Sequence, residues 1–403
     1  MRVREYLDWN VGFVYRFGMV EDLTDSDLQG GKFIKPFQKL LAKVRQSVQT
    51  DSVDPRQNLD LEQLAGHLLF FFYTPMLKSL RSIQRASELK RVQKLLGCSR
   101  SSLGSLSEAL AVFDPEVLRL AIVELVNELK PSQKLPKELD GLTAVDGTFL
   151  KAVPRMAWAL FRKNEKYRGA KAHVFFDIAL AAPVDASVTA ANASEKSELR
   201  EKLQSGRLYV LDAGYAQYKL FADILDAGSS FVCRVRTDAV RDVVEEREVN
   251  AESAQAGIQR DQVVRIGDWG PRKDLDQPVR LIDFRPPRTR PDEEPELIVL
   301  ATDRLDLDPD LITLAYRNRW SIELFFRWFK CILGCRRLIS HSEGGVTIQV
   351  YAGIIASLLI SVWLRRKPNQ ALLEIIHFYL VGLADDEELT RALSRLPAHE
   401  KTA

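Results

Sequence analysis

Residues 141–150 read GLTAVDGTFL, an apolar and β-branched run broken by one aspartate and one glycine. Such a run, bounded by turn formers, predicts a strand, and it marks a change of texture in the chain. Before it, from about 30 to 130, apolar residues recur at helical spacing, with breaks at 50–58, Pro75, Gly97 and Asp114-Pro115. That pattern predicts an all-helical region. After it, AKAHVFFDIAL (170–180), APVDASVTA (182–190) and RLYVLDAG (207–214) are further strand-like runs, with a helical stretch at 194–204 before the last. From 229 to 302 the pattern stays β in SSFVCRVR, VVRIGDW, VRLIDFR and PELIVLATD, separated by charged linkers and the proline-rich FRPPRTRPDEEP. Helices are predicted again over 311–331, 345–366 and 369–395. The whole reads as an α/β protein whose mixed core begins near residue 141.

The chain of 403 residues has room for two or three domains, and 46% hydrophobic content is ample for packed cores. A net charge of +2 neither demands nor excludes a polyanionic partner, so any nucleic-acid surface must show as local clustering. Four scattered cysteines suit a reducing compartment, and with no secretory pattern at the start the expected location is cytoplasmic. The longest apolar run, 353–364, is shorter than the roughly 20 residues that span a bilayer, so it is expected as a buried helix, with no membrane partner. In the first region RVQKLLGCSRSSLGSLSEALAVF (91–113) resembles a helix-turn-helix, although a plain helical hairpin is the favoured reading.

The chemistry is expected from three acids. Asp146 follows the apolar LTAV and Asp212 follows YVL, so both are predicted at the C-terminal tips of strands, where a short side chain on a rigid support points into a cleft. Glu323 lies in YRNRWSIELFFRWFK (316–330). On one continuous helix Tyr316, Arg319, Glu323 and Lys330 would share a stripe about 60° wide, leaving Ile322, Phe325, Phe326 and Phe329 free for burial. Between Tyr316 and Arg337 six cations face this single acid. Three carboxylates are the oxygen-rich donor set that Mg²⁺ or Mn²⁺ prefers, and two such ions about 3.5–4 Å apart serve phosphoryl transfer on nucleic acid. His173 is expected to pack or hydrogen-bond and not to bind metal, and Trp320, Trp328 and Trp363 to be packing aromatics.

The spacing of Tyr316, Arg319, Glu323 and Lys330 resembles the Y-R-E-K signature of cut-and-paste DDE transposases, particularly the insertion-sequence-four group. Asp146 in VDGT resembles that family's first acid and Asp212 in LDAGY its second, so the likeness covers about 142–337. The resemblance implies a ribonuclease-H-like mixed sheet flanked by helices, interrupted after its fifth strand by a β-rich insertion. Expected boundaries are a helical, DNA-binding N-terminal region at 1–135, core at 136–228, insertion at 229–302, the rest of the core at 303–366 and a helical tail at 367–403. It further implies that Asp146, Asp212 and Glu323 bind two metal ions, that Arg319 and Lys330 grip phosphates near the cleaved end, and that Tyr316 contacts the terminal nucleotides or their backbone. Trp269, in GDWG, would hold a base that has left the stack. Implied partners are double-stranded DNA with terminal inverted repeats, target DNA, and a second copy of the chain in a synaptic complex. The expected activity is excision and strand transfer through a hairpin intermediate. The alternative is a catalytically inactive DNA-binding derivative of such an enzyme.

Overall fold

A computed structural model of the chain describes residues 31–47, 59–152, 155–159, 168–239, 241–265, 275, 277–286, 295–331, 334–335, 337–364, 370–380 and 382–395. Trp269 therefore lies outside the described residues. Among the described residues before the sheet the chain forms α1 (Gly31–Ser47), α2 (Leu61–Tyr73), α3 (Leu80–Ala86), α4 (Lys90–Leu96), α5 (Leu103–Val112) and α6 (Glu116–Asn127). Local chemistry sets these ends. Asp60 and Gln63 form a reciprocal capping box at the start of α2, Ser79 and Ser82 do the same for α3, and Ser102 caps α5. Gly97 ends α4 with φ 68°, a left-handed conformation that glycine adopts without strain.

The core is one sheet. Its strands are β1 (Leu142–Lys151), β2 (Gly169–Asp177), β3 (Ala182–Ala190), β4 (Leu208–Leu211), β5 (Ser230–Val235), β6 (Asp242–Arg247), β7 (Ile258–Arg265), β8 (Val279–Phe284) and β9 (Ile298–Thr302). They run in the order β3-β2-β1-β4-β5-β9-β8-β7-β6. Strands β1, β4 and β5 are mutually parallel, and every other pairing is antiparallel. The stretch 229–302 thus supplies β5 and then β6 to β9, with β9 hydrogen-bonded directly to β5. Between strands lie α7 (Glu195–Glu201), α8 (Tyr218–Asp226) and α9 (Ala251–Gln255).

Side chains alternate between two packed layers along the central strands. Ala144, Val174, Val210 and Val232 enter one core, while Val145, Phe175, Leu211 and Cys233 enter the other, which α7 and α8 cover. A period of two with both sides apolar is what a parallel centre requires, because each face must be shielded.

The chain closes with α10 (Pro309–Asn318), α11 (Trp320–Cys331), α12 (Glu343–Leu364), α13 (Gln370–Leu380) and α14 (Asp386–Ser394). Two of the expected helices are divided. The 311–331 helix breaks at Arg319, and the 369–395 helix breaks around Gly382, whose φ is 76°. The apolar run at 353–364 belongs to a 22-residue helix, α12, longer than the run itself. By length and composition α12 could cross a bilayer, but most of it is buried inside the protein against α2, α5, α6 and β3. Tyr73 of α2 donates its hydroxyl to Ala356 O at 3.0 Å, and Tyr351 of α12 donates to Ala186 O of β3 at 3.0 Å, so α12 joins the helical region to the sheet.

Ile322, Phe325, Phe326 and Phe329 are buried as expected. Trp328 packs on Phe325 and Trp363 stacks on Tyr379. Trp320 corrects the expectation: it is 53% exposed, because the break at Arg319 turns it outward at the start of α11.

Candidate active site

The parallel register of β1 and β4 pairs Thr143 with Tyr209 and Ala144 with Val210. Continued two residues past its last pair, this register would bring Asp146 and Asp212 to neighbouring positions. Both follow the parity of Ala144 and Val210, so both carboxylates belong to the face on which α11 packs. Asp212 comes directly after the last residue of β4 and caps a short 3₁₀ turn, accepting from the Ala213 amide at 2.7 Å. Asp146 is not at a strand tip, which corrects the sequence reading: β1 runs five residues on to Lys151 because its antiparallel ladder with β2 continues to Gly169. What ends beside Asp146 is β4. A carboxylate in mid-strand is thereby uncovered on one side, and it accepts from the Gly147 amide at 2.7 Å.

Tyr316, Arg319 and Glu323 straddle the junction of α10 and α11. Arg319 sits between the helices with φ −52° and ψ −33°, and tight i to i+3 bonds bracket it: its amide donates to Tyr316 O and its carbonyl accepts from Ile322 N, both at 3.1 Å. Glu323 falls in the first turn of α11, where the positive end of the helix favours an acid. Arg319 Nη2 donates to Glu323 Oε1 at 2.7 Å, and its guanidinium carbon lies 5.6 Å from the centre of the Tyr316 ring. Tyr316 is itself buried, edge-on to Phe284 of β8. Burial alone would lower the Arg319 guanidinium, but the pull of Tyr316, Asp212 and Glu323 outweighs it and its pKa is raised. Its Nε is buried without a hydrogen-bond partner.

Burial pushes the Asp146 carboxyl up to about 6; the Gly147 amide and Arg319 oppose this rise, while Glu195 and Glu323 add to it. Asp146, Glu323 and Arg319 therefore share one electrostatic environment, and Asp212 joins it through Arg319. Glu195, in the first turn of α7, lies under Gly147 on the opposite face of the sheet and was not singled out by the sequence reading. It forms an ion pair with Lys171 of β2 at 2.8 Å. A β-carbon on Gly147 would meet Glu195 Oε1 at 2.8 Å and Lys171 Cδ at 2.9 Å, so the glycine after Asp146 is what lets this pair close over β1. His173 holds Thr189 Oγ1 at 2.8 Å, a hydrogen bond as expected. The Tyr215 hydroxyl is buried without a partner, close enough to Glu195, Asp146 and Asp212 for their charges to raise it after burial does.

Lys330 is half-buried in the last turn of α11, seven residues and about 10 Å beyond Glu323 along the axis. It shares that helix but stands apart from the Arg319 cluster. Among the described residues no three His, Cys, Asp or Glu side chains converge to metal-holding distance, and Glu323 is engaged by Arg319.

The sheet is parallel at its centre, with Asp146 on β1, Asp212 at the end of β4 and Glu323 on α11, the helix that packs on β1. Residues 137–359 match the family described as Transposase DDE domain, more than half of the chain, and the chain belongs to that family. It is 29% identical over 239 residues to "Putative transposase y4zB" of Sinorhizobium fredii, a match spanning 59% of this chain and 64% of that relative, just under two thirds of its length. It is 21% identical over 319 residues to "Probable transposase for insertion sequence element IS5377" of Geobacillus stearothermophilus, covering 77% of this chain and 80% of that one. Among solved structures it is similar to a piggyBac transposase synaptic complex with hairpin DNA, at 14% identity and a TM-score of 0.43, over 94% of this chain and 84% of that one.

Proposed function

We propose that this protein is a cut-and-paste transposase of the insertion-sequence-four group, acting on the ends of its own element. In this reading β1 to β5 with α7, α8 and α10 to α12 form a ribonuclease-H-like core, and β6 to β9 with α9 are the insertion, which extends the sheet from β5. The helices before β1 bind the element ends, and two copies pair in a synaptic complex. What supports this reading is the parallel register of β1 and β4, which continued two residues would bring Asp146 next to Asp212, together with the Arg319–Glu323 pair on α11.

The residues fit a divalent metal. Their donors are all oxygen, and the Asp146 carboxyl is raised first by burial and then by Glu195 and Glu323, a cost that a cation would relieve. Asp146, Asp212 and Glu323 would hold Mg²⁺ or Mn²⁺, two ions in all, which supply Lewis-acid activation of the attacking oxygen and steady the departing one. The rest falls to the chain's own side chains. Arg319 has a planar fork whose Nη2 orients Glu323, and such a fork is suited to grip a phosphate as well. Tyr316 lies beneath that guanidinium and fixes its plane; it supports the terminal nucleotides through Arg319. Lys330 supplies a second phosphate contact further along α11, and Trp269 receives an unstacked base. Water cuts one strand, the freed 3′-hydroxyl attacks the other to close a hairpin, and the reopened end is joined to target DNA. No serine or tyrosine nucleophile is required.

The test is incubation of the purified protein with Mg²⁺ and duplexes carrying the inverted repeats that flank its gene. Hairpin and joined products are expected. Binding without cleavage would instead identify an inactive derivative, and cleavage without joining a nuclease.

A further inference from the structure

Residues 78–100 hold seven cations, Lys78, Arg81, Arg85, Lys90, Arg91, Lys94 and Arg100, all exposed, against the single acid Glu88. The chain as a whole is almost balanced, with 57 basic and 55 acidic residues, so an ordinary solvated surface here would mix the signs. The arrangement also works against the local helices. Lys90 and Arg91 occupy the first turn of α4, at its positive end, with no acid in that turn, and the first turn of α3 has none either. Arg81 with Arg85 and Lys90 with Lys94 are like charges four residues apart, a spacing that repels. Helix stability does not account for this charge pattern, and a choice that opposes local preference marks a functional surface.

The patch is rigidly mounted. Val92 and Leu96 of α4 and Ile83 of α3 are buried beneath it. Ser87, between the two helices, receives the Ser101 amide at 3.1 Å, and the Ser101 hydroxyl meets His67 Nε2 of α2 at 3.1 Å. Gln93 of α4 donates to Ser87 O at 2.9 Å. The cations thus stand on a fixed platform over α2 and not on a loose tail.

By contrast α5, which a helix-turn-helix would lay in the major groove, carries one charged residue, the exposed acid Glu108, and no cation. We propose that the N-terminal helices meet duplex DNA through the α3–α4 surface, which tracks the phosphate backbone, and that α5 does not act as a recognition helix. The inference rests on the transposase reading, and it assigns within it the face that makes the sequence-independent contact.

The full-length protein is titrated with two 30-base-pair duplexes of unrelated sequence over a range of NaCl concentrations. Lys90→Gln/Arg91→Gln/Lys94→Gln is expected to make the slope of log K against log[salt] shallower by about three, equally for both duplexes. Arg81→Gln/Arg85→Gln should make it shallower by about two. Glu108→Gln with Ser107→Ala on α5 should leave it unchanged. The triple variant is also expected to melt no lower than the parent, since Lys90 and Arg91 crowd the positive end of α4 and Lys90 repels Lys94 one turn on, so a loss of binding cannot be a loss of fold. An unchanged slope in both cation variants, with the parent binding normally, overturns this assignment alone; equal weakening by the α5 variant overturns it too. A parent that binds neither duplex overturns the transposase reading with it.

Discussion

Arg319 and Glu323 form a 2.7 Å ion pair across a break between two helices, and the arginine of that pair is also drawn by Asp212 and stacked on Tyr316. One cation thus couples the α11 acid to the strand acids. Replacing any one acid should therefore be felt as loss of chemistry and not of DNA affinity. Asp146→Ala, Asp212→Ala and Glu323→Ala are each expected to abolish strand cleavage on labelled end duplexes while binding stays within a fewfold of the parent. Cleavage surviving in any of the three would remove that residue from the site.

Asp146 carries a stability consequence of definite sign. Its folded pKa is raised from 3.8 to about 6, so the fold holds this proton more tightly than the unfolded chain does. That contribution is fully present below about pH 4 and is lost as pH rises through 6, leaving a buried carboxylate that costs on the order of 2–3 kcal/mol at pH 8. In metal-free buffer Asp146→Asn should raise the melting temperature by a few degrees at pH 8 and make no difference at pH 3.5. A variant that melts lower at pH 8 would contradict this.

His173 behaves oppositely. Burial pushes its imidazole down to about 4, and the Lys171 and Lys202 cations add to this while Glu195 resists. The folded chain keeps the ring neutral, so its contribution is present above about pH 6.5 and is lost as pH falls toward 4. His173→Gln should flatten the decline in stability over that window, as read by denaturant titration at pH 7 and pH 4.5. Equal declines in variant and parent would show that the ring does not titrate as buried.

Arg280 of β8 and Asp261 of β7 form a bidentate pair with both side chains 3% exposed, the guanidinium also donating to Leu307 O. Asp261→Ala would strand a buried cation and is expected to cost about 3–5 kcal/mol, whereas replacing the pair by Leu and Met should be near neutral. Calorimetry of the single and double variants distinguishes the two. A single variant as stable as the double would mean that solvent reaches Arg280.

The two strand acids were legible because each follows an apolar run that can only be a buried strand, and burial on both faces of β1 and β4 follows from the same pattern. The α10–α11 break was not: the residues from Arg317 to Ser321 include neither glycine nor proline, and the tight i to i+3 turn leaves no compositional mark. Strand β6 was missed because an edge strand of exposed residues, DVVEER, has no apolar alternation to read. Glu195 comes close to β1 from α7, and the sequence holds only an indirect sign of it in Gly147, whose missing side chain makes room.

Helix α12 has a further implication. It is apolar nearly all round, wrapped on one side by the N-terminal helices and on another by β3, with Tyr73 and Tyr351 bolting it to each. Trimming the chain back to the DDE match would strip that rod of half its sheath, and the fragment should precipitate where the intact protein remains dissolved.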